Sequence, residues 1–219
     1  MPLTLSALQH RTLAVFMEKA FTTPEQYPLT INALVAGCNQ KSNRDPVTSH
    51  TESDVVNALQ ELMHMQLVKS TPSQPGARAN RYEHCVTAKF PWAPHEQAML
   101  CELLLRGPQT VGELRTRASR MVHIGDLQTV QNTLDALGAN DPPEVLVMPR
   151  SAGKSVVRYR HNFYLEDEVP QDGVPVRTST GATTSASHPA PDPDLLARLN
   201  DLETRVAALE DRIHSPTDT

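Results

Sequence analysis

The chain is short of aromatic residues, which make up 4% of its 219 positions, and it has only 9 glycines and 3 cysteines. It also has no excess of positive charge and no long apolar run. Each shortage narrows the reading. Cys38, Cys85 and Cys101 are odd in number, have no C-x-x-C spacing and lie in apolar contexts, so neither a disulfide framework nor a zinc knuckle is expected and a reduced, cytoplasmic home fits. Nowhere do about eighteen apolar residues occur together, and Met1 to His10 has no basic start, so no membrane span or export signal is expected. The net charge of −5 argues against a strong non-specific polyanion binder. Its distribution is uneven: residues 1–90 carry 8 basic against 7 acidic side chains, 91–168 carry 8 against 10, and 169–219 carry 4 against 8. The acidity therefore lies mostly in the tail.

Prolines (18) outnumber glycines two to one and punctuate the chain into short segments. Residues 6–19 begin at Ser6 as a cap and read as a first helix, ending before Thr22-Thr23-Pro24. Tyr27-Pro28-Leu29 is extended, because the residue before proline is pushed out of the helical region. Thr30 then caps a second helix carrying Ile31, Leu34, Val35 and Cys38, which ends near Asn39 in a polar loop to Pro46. A third helix runs from about Ser53 to Met65 on Val55, Leu59, Leu62 and Met63. Leu67 to Ser70 and Arg81 to Val86 then read as two strands joined by a Pro- and Gly-containing loop.

The plan repeats. Glu96 to Leu105 is a first helix stopped by Gly107-Pro108, and Thr110 caps a second from Val111 to about Ser119. Asp126 caps a third, with Leu127, Val130, Leu134 and Leu137 on one face. Val145 to Met148 and Val156 to Arg160 are the strands of a second hairpin. The repeat also holds residue by residue. Gly76 followed by Arg81-Tyr82-x-His84 matches Gly153 followed by Arg158-Tyr159-x-His161, and Val55-x3-Leu59-x2-Leu62 matches Val130-x3-Leu134-x2-Leu137. The expected fold class is mainly α with small β-wings (α+β): two tandem winged helix-turn-helix domains over residues 1–90 and 91–168.

Residues 169–192 turn to Pro, Thr, Ser, Gly and Ala and read as a flexible linker. Over residues 193–214, Leu195, Leu199, Leu202, Val206, Leu209 and Ile213 alternate at intervals of four and three, the seam of a coiled coil. With Leu199, Val206 and Ile213 at a, each g position is an arginine (Arg198, Arg205, Arg212) and Glu203 and Glu210 fall at e. That pattern favours a parallel homodimer; a solitary helix docked on the domains is the alternative.

Thr23-Pro24-Glu25-Gln26-Tyr27-Pro28-Leu29, with Ala36-x-Cys38-Asn39-Gln40-Lys41-Ser42-Asn43-Arg44-Asp45-Pro46, resembles the YceH-like family of uncharacterised bacterial proteins. Leu103-Leu104-Leu105-Arg106-Gly107-Pro108-Gln109-Thr110-x-Gly112-Glu113-Leu114-Arg115-x-Arg117-Ala118 is similar to the same family's second signature. The likeness covers roughly residues 3 to 164. It implies a tandem winged-helix fold and no assigned activity.

Winged helices that bind DNA place the third helix in the major groove and a basic wing over phosphate. The first unit offers Lys41 and Arg44 in the turn, Asn57, Gln60 and His64 on the third helix, and Arg78 and Arg81 in the wing. The second offers Arg115, Arg117, Arg120, Gln128, Gln131 and Asn132, with Lys154, Arg158 and Arg160 in the wing. Against this, Glu52, Asp54, Glu61, Asp126 and Asp135 would approach phosphates. The arginines could equally be solvated surface or pair with nearby carboxylates. The leading expectation is a DNA-binding, transcription-regulatory homodimer; the alternative is a protein-interaction scaffold without DNA contact. Residues Asn39 to Pro46 could recognise a partner or simply bond the loop to its own domain, the latter being favoured.

No enzyme, cofactor or metal is expected. Gly153-Lys154-Ser155 resembles the end of a phosphate-binding loop, but Met148 stands where glycine is required and no helix follows. No G-x-S-x-G occurs, and His84-Cys85 is too small a ligand set for zinc.

Overall fold

A computed structural model of the chain describes residues 3–71, 79–149, 156–165 and 169. The expected linker and coiled-coil seam lie outside these residues. In order, the elements are α1 (Ala7–Thr22), a 3₁₀ turn (Pro24–Gln26), α2 (Ile31–Cys38), α3 (Glu52–His64), β1 (Val68–Thr71), β2 (Arg81–His84), α4 (Val86–Lys89), α5 (Pro94–Arg106), α6 (Val111–Ala118), α7 (Leu127–Ala139), β3 (Val145–Val147) and β4 (Tyr159–His161). The chain is mainly helical, with two small antiparallel sheets of two strands each among the described residues.

Local chemistry accounts for where the helices start. The side chains of Ser6, Thr30, Thr110 and Asp126 each accept from a backbone N–H three residues on, as expected of caps. α3 starts one residue earlier than the apolar periodicity indicated because Thr51 is its cap: Asp54 N–H donates to the Thr51 hydroxyl at 3.2 Å, and the Thr51 N–H donates to the Asp54 carboxylate at 2.9 Å. α5 likewise starts at Pro94, where the missing N–H costs nothing, and Glu96 accepts from the Ala93 N–H at 2.6 Å.

The hairpins are shorter than the sequence suggested. Cys85 N–H still donates to Leu67 O at 2.7 Å, but the chain then coils into α4, so Val86 is not a strand residue. In the second hairpin, Val156 is 62% exposed and β4 begins only at Tyr159. Leu127, assigned from its spacing to the apolar face of α7, is 52% exposed: it is the first helical residue after the cap and projects before the helix reaches the core.

Each hairpin is extended by the segment that leads into the second helix of its unit. Leu29 and Tyr82 exchange backbone hydrogen bonds of 3.0 and 2.8 Å, and Gln109 and Tyr159 do the same at 2.9 and 2.8 Å. The side chains repeat too. Arg81 donates to Pro28 O at 2.7 Å, and Arg158 donates to Pro108 O at 2.9 Å. The internal repeat seen in the sequence is therefore a repeat of hydrogen-bond geometry.

The described residues belong to one compact unit, and one apolar cluster runs through both halves. Residues 9–18 of α1 and 97–105 of α5 are buried on every side, as befits helices at the centre of a fold. α1 and α5 pack on each other, and Gly37 of α2 comes so close to α1 that a Cβ there would lie 2.6 Å from Val15 Cγ1. The packing also continues through the expected boundary between residues 90 and 91, where Phe90 stacks on Trp92 with ring centroids 4.2 Å apart.

Candidate functional site

Two carboxylates lie in the most apolar stretches of the two central helices, Glu18 in α1 and Glu102 in α5, exposed 1% and 0%. A buried charge needs a counter-charge and hydrogen bonds, and three arginines supply them. Arg44 donates to Glu18 Oε2 at 2.5 Å and to Oε1 at 3.2 Å, and its remaining donors reach Gly37 O and Asn43 O at 3.0 and 2.8 Å. Arg120 bridges the carboxylates, lying 2.6 Å from Glu18 Oε1 and donating to Glu102 Oε1 at 2.9 and 2.7 Å. Arg106 is paired with Glu102 Oε2 at 3.2 Å and donates to Asn43 Oδ1 at 2.6 Å. Burial by itself would raise the Glu18 carboxyl; Arg44 and Arg120 outweigh it and hold the group below the usual carboxylate value.

The loop from Asn39 to Pro46 is built into this network. Asn39 closes its base by donating to His50 O at 2.8 Å and accepting from the His50 N–H at 2.7 Å. Asn43, Arg44 and the Asp45 N–H, which donates to Leu105 O at 3.0 Å, then fasten the loop to both central helices. The loop thus bonds beyond its own unit, to α5 of the second. The Leu103 to Ala118 segment is internally bonded as well. Gln109 donates to Glu102 O at 2.9 Å and accepts from Arg117 at 2.9 Å, while Glu113 accepts from the Thr110 N–H at 2.9 Å.

Seen against this geometry, the cations proposed for DNA divide sharply. Arg44, 4% exposed, and Arg120 belong to the buried network, so Arg44 is a correction to the surface role assigned from its loop context. Arg115 donates to Gly125 O at 3.2 and 2.7 Å, Arg117 holds Gln109 and Glu113, and Arg81 and Arg158 hold the proline carbonyls. Arg160 donates to His161 O at 3.2 Å and lies 5.7 Å from the centre of the Tyr164 ring. Lys41, Asn57, Gln60 and His64 are exposed. Gln128 is also exposed and donates to Asn132 at 2.8 Å, whereas Gln131 is half-buried and donates to Tyr159 Oη at 3.0 Å. Arg78 and Lys154 lie outside the described residues, as do the six seam residues from Leu195 to Ile213.

Sequence reasoning missed Glu18, Glu102, Arg106 and Asn43 as a set. The available signal was a carboxylate at the end of the apolar run Leu13 to Met17 and another inside the run Ala98 to Leu105.

A second buried polar cluster joins the start of the chain to the segment after β4. The His10 Nε2–H donates to Phe163 O at 2.8 Å, and His161 Nδ1 accepts from the Phe163 N–H at 3.2 Å. The two imidazole rings meet edge-on with centroids 4.5 Å apart. Burial pushes His10 down from 6.5 to about 4, the carbonyl bond opposing it weakly, and burial pushes His161 down as well. Because the unfolded chain takes up these protons first, stability should fall as pH drops below 6.5, and the contribution of His10 should level off below about 4. His10 alone should cost about 2 kcal/mol between pH 7.5 and 5. Urea midpoints at the two pH values check this, and His10→Gln should flatten the dependence.

Cys38 and Cys101 are buried, and burial pushes their thiols up, that of Cys38 to about 11, so both stay protonated at neutral pH. Cys101 instead donates to Ala14 O at 3.3 Å across the central helix pair. Among the described residues no three His, Cys, Asp or Glu side chains are grouped to hold a metal ion, and no helix is long and apolar enough to cross a membrane.

The fold and site together define a duplicated helical protein whose two halves are joined through a shared core and a buried ionic network. Residues 5–154 match a family described as a protein of unknown function, DUF480, and the chain belongs to that family, in agreement with the YceH-like resemblance of its two signature segments. A UPF0502 protein of Citrifermentans bemidjiense is 39% identical over all of this chain and 99% of its own length. UPF0502 proteins of Geotalea uraniireducens (42% identical, over 97% of this chain and 90% of the relative) and Shewanella halifaxensis (39%, over 95% and 96%) are similar throughout.

Proposed function

We propose that this chain is a non-catalytic tandem winged-helix module that works by docking on protein partners. The order of three helices and a hairpin in each half supports the winged-helix reading, as does the single bridge that Leu29 and Gln109 each make to their hairpin. What carries the choice of partner is the state of the arginines. Arg44, Arg81, Arg115, Arg117, Arg120, Arg158 and Arg160 each spend donors on a protein carbonyl, amide or carboxylate. Among the described residues Arg44, Arg117 and Arg120 already face carboxylates, and the exposed Arg81, Arg115 and Arg158 are tied to backbone carbonyls, which fixes their direction though not their charge; phosphate contacts contribute much of DNA affinity. α3, the helix that would enter a groove, carries Glu52, Asp54 and Glu61 and no lysine or arginine. α7 has no cation either.

DNA binding with a regulatory role is the second reading, favoured by the exposed Asn57, Gln60 and His64 of α3 and by the exposed Lys41. A photo-crosslinking residue at Gln60 or Gln128 in living cells should yield discrete protein adducts. In parallel, fluorescence anisotropy with pooled genomic duplexes should show binding that disappears by physiological salt. Sub-micromolar binding that persists there and enriches certain fragments would reverse the order of the two readings.

Leu195, Leu199, Leu202, Val206, Leu209 and Ile213 are proposed to pair two copies in parallel, making the module bivalent. Deleting residues 190–219 should then lower the solution mass from dimer to monomer, and an unchanged mass would exclude the pairing.

A further inference from the structure

Arg11 is 5% exposed on α1, and only part of its guanidinium is used. Its Nη2 donates to Pro46 O at 2.7 Å, while its Nη1 is buried without a hydrogen-bond partner. Two residues beyond that carbonyl, Thr48 Oγ1 is also buried without a partner. Among the described residues no carboxylate forms an ion pair with Arg11. Of the charges around it, Arg44 repels it, while Asp45 and Glu18 attract it without reaching ion-pair distance. Among the described residues Glu18 and Glu102 are the buried carboxylates, and both are taken by Arg44, Arg106 and Arg120.

We infer that a small inorganic anion of chloride's class binds beneath the segment from Pro46 to Ser49, held by Arg11 Nη1 and the Thr48 hydroxyl. A guanidinium only donates and is positively charged, so a cation is excluded, and the Thr48 hydroxyl can supply a second donor. A water molecule would accept from both but would leave the guanidinium without an ion-pair partner, whereas an anion meets both needs at once. A halide accepts from any direction and so suits two donors from unrelated elements. Pro46, Val47 and Ser49 are exposed, so the ion lies one side chain beneath solvent and can exchange by movement of that short segment.

Thermal unfolding of the full chain in sodium chloride and in sodium gluconate at equal ionic strength tests the site. Chloride should raise the melting temperature along a saturating curve, because it binds only the folded state. Thr48→Val, which keeps the side chain's shape and removes the donor, should weaken the apparent chloride affinity about tenfold. Arg11→Met should abolish the response, and if that variant fails to fold, Thr48→Val carries the test. Crystals grown in bromide should place an anomalous peak between the two groups. Equal melting in the two salts would overturn the inference and leave a water molecule there. So would a chloride response unchanged in Thr48→Val, which would mark it as a general salt effect.

Discussion

Glu18→Ala should destabilise the chain by about 3–5 kcal/mol, the range for removing one partner from a buried ion pair. The reason is what remains. Arg44, whose side chain is wholly buried, would lose its carboxylate, and Arg120 would lose one of its two. Chemical denaturation at pH 7.5 measures the effect. Arg44→Ala should cost a similar amount, and the double variant Glu18→Ala/Arg44→Ala much less than the sum, because the second change removes the charge the first one stranded. Arg120→Ala should cost less than either, since that side chain is 26% exposed and water can replace part of what it does. Additive losses would mean that the three groups do not act as a network. Since Asn43 and Asp45 tie the same loop to α5, Glu18→Ala should also loosen the loop, seen as faster amide exchange at Asp45, whose N–H is held by Leu105 O.

Phe16→Ala should cost about 3–5 kcal/mol as well, through the cavity left by a large aromatic side chain. Phe16 is fully buried on α1, in the cluster that also contains Leu100, Leu103 and Trp92. Trp92, the single tryptophan, lies in the second half of the repeat, so its fluorescence reports on residues outside the mutated unit. A shared core requires the tryptophan signal and the far-ultraviolet helix signal to shift together in Phe16→Ala and to trace one transition. If the tryptophan transition stays at its original midpoint while helix signal is lost earlier, the halves are separate folding units and the boundary near residue 90 is real in energy as well as in sequence.

Much of the fold was legible because short-range rules write it. Ser6, Thr30, Thr110 and Asp126 were recognisable as caps, since a cap is a contact between residues three apart. The repeat was legible for a similar reason: Arg81-Tyr82-x-His84 and Arg158-Tyr159-x-His161 recur because each makes the same bonds to the segment before its unit's second helix. Errors fell where a local rule meets a boundary. Leu127 fits the apolar spacing of α7 but stands at its first position, and Val156 fits a strand pattern but precedes the paired residues. The composition of the Asn39 to Pro46 loop favours bonds to its own domain, and Asn39 makes them with His50. The loop's bonds to α5 had no local signal.

By itself the sequence determined the helices and hairpins, their duplication and the membership of a family. These follow from periodicity, capping and motif, which act over a few residues or recur visibly along the chain. Only the tertiary structure decided which charges are free. Lys41 and Arg44 stand three residues apart in one polar loop, yet one is exposed and the other is sealed against a glutamate 26 residues away. A guanidinium's partner is chosen by which helices meet, and Glu18, Arg44, Glu102 and Arg120 come together only because α1 and α5 share one core.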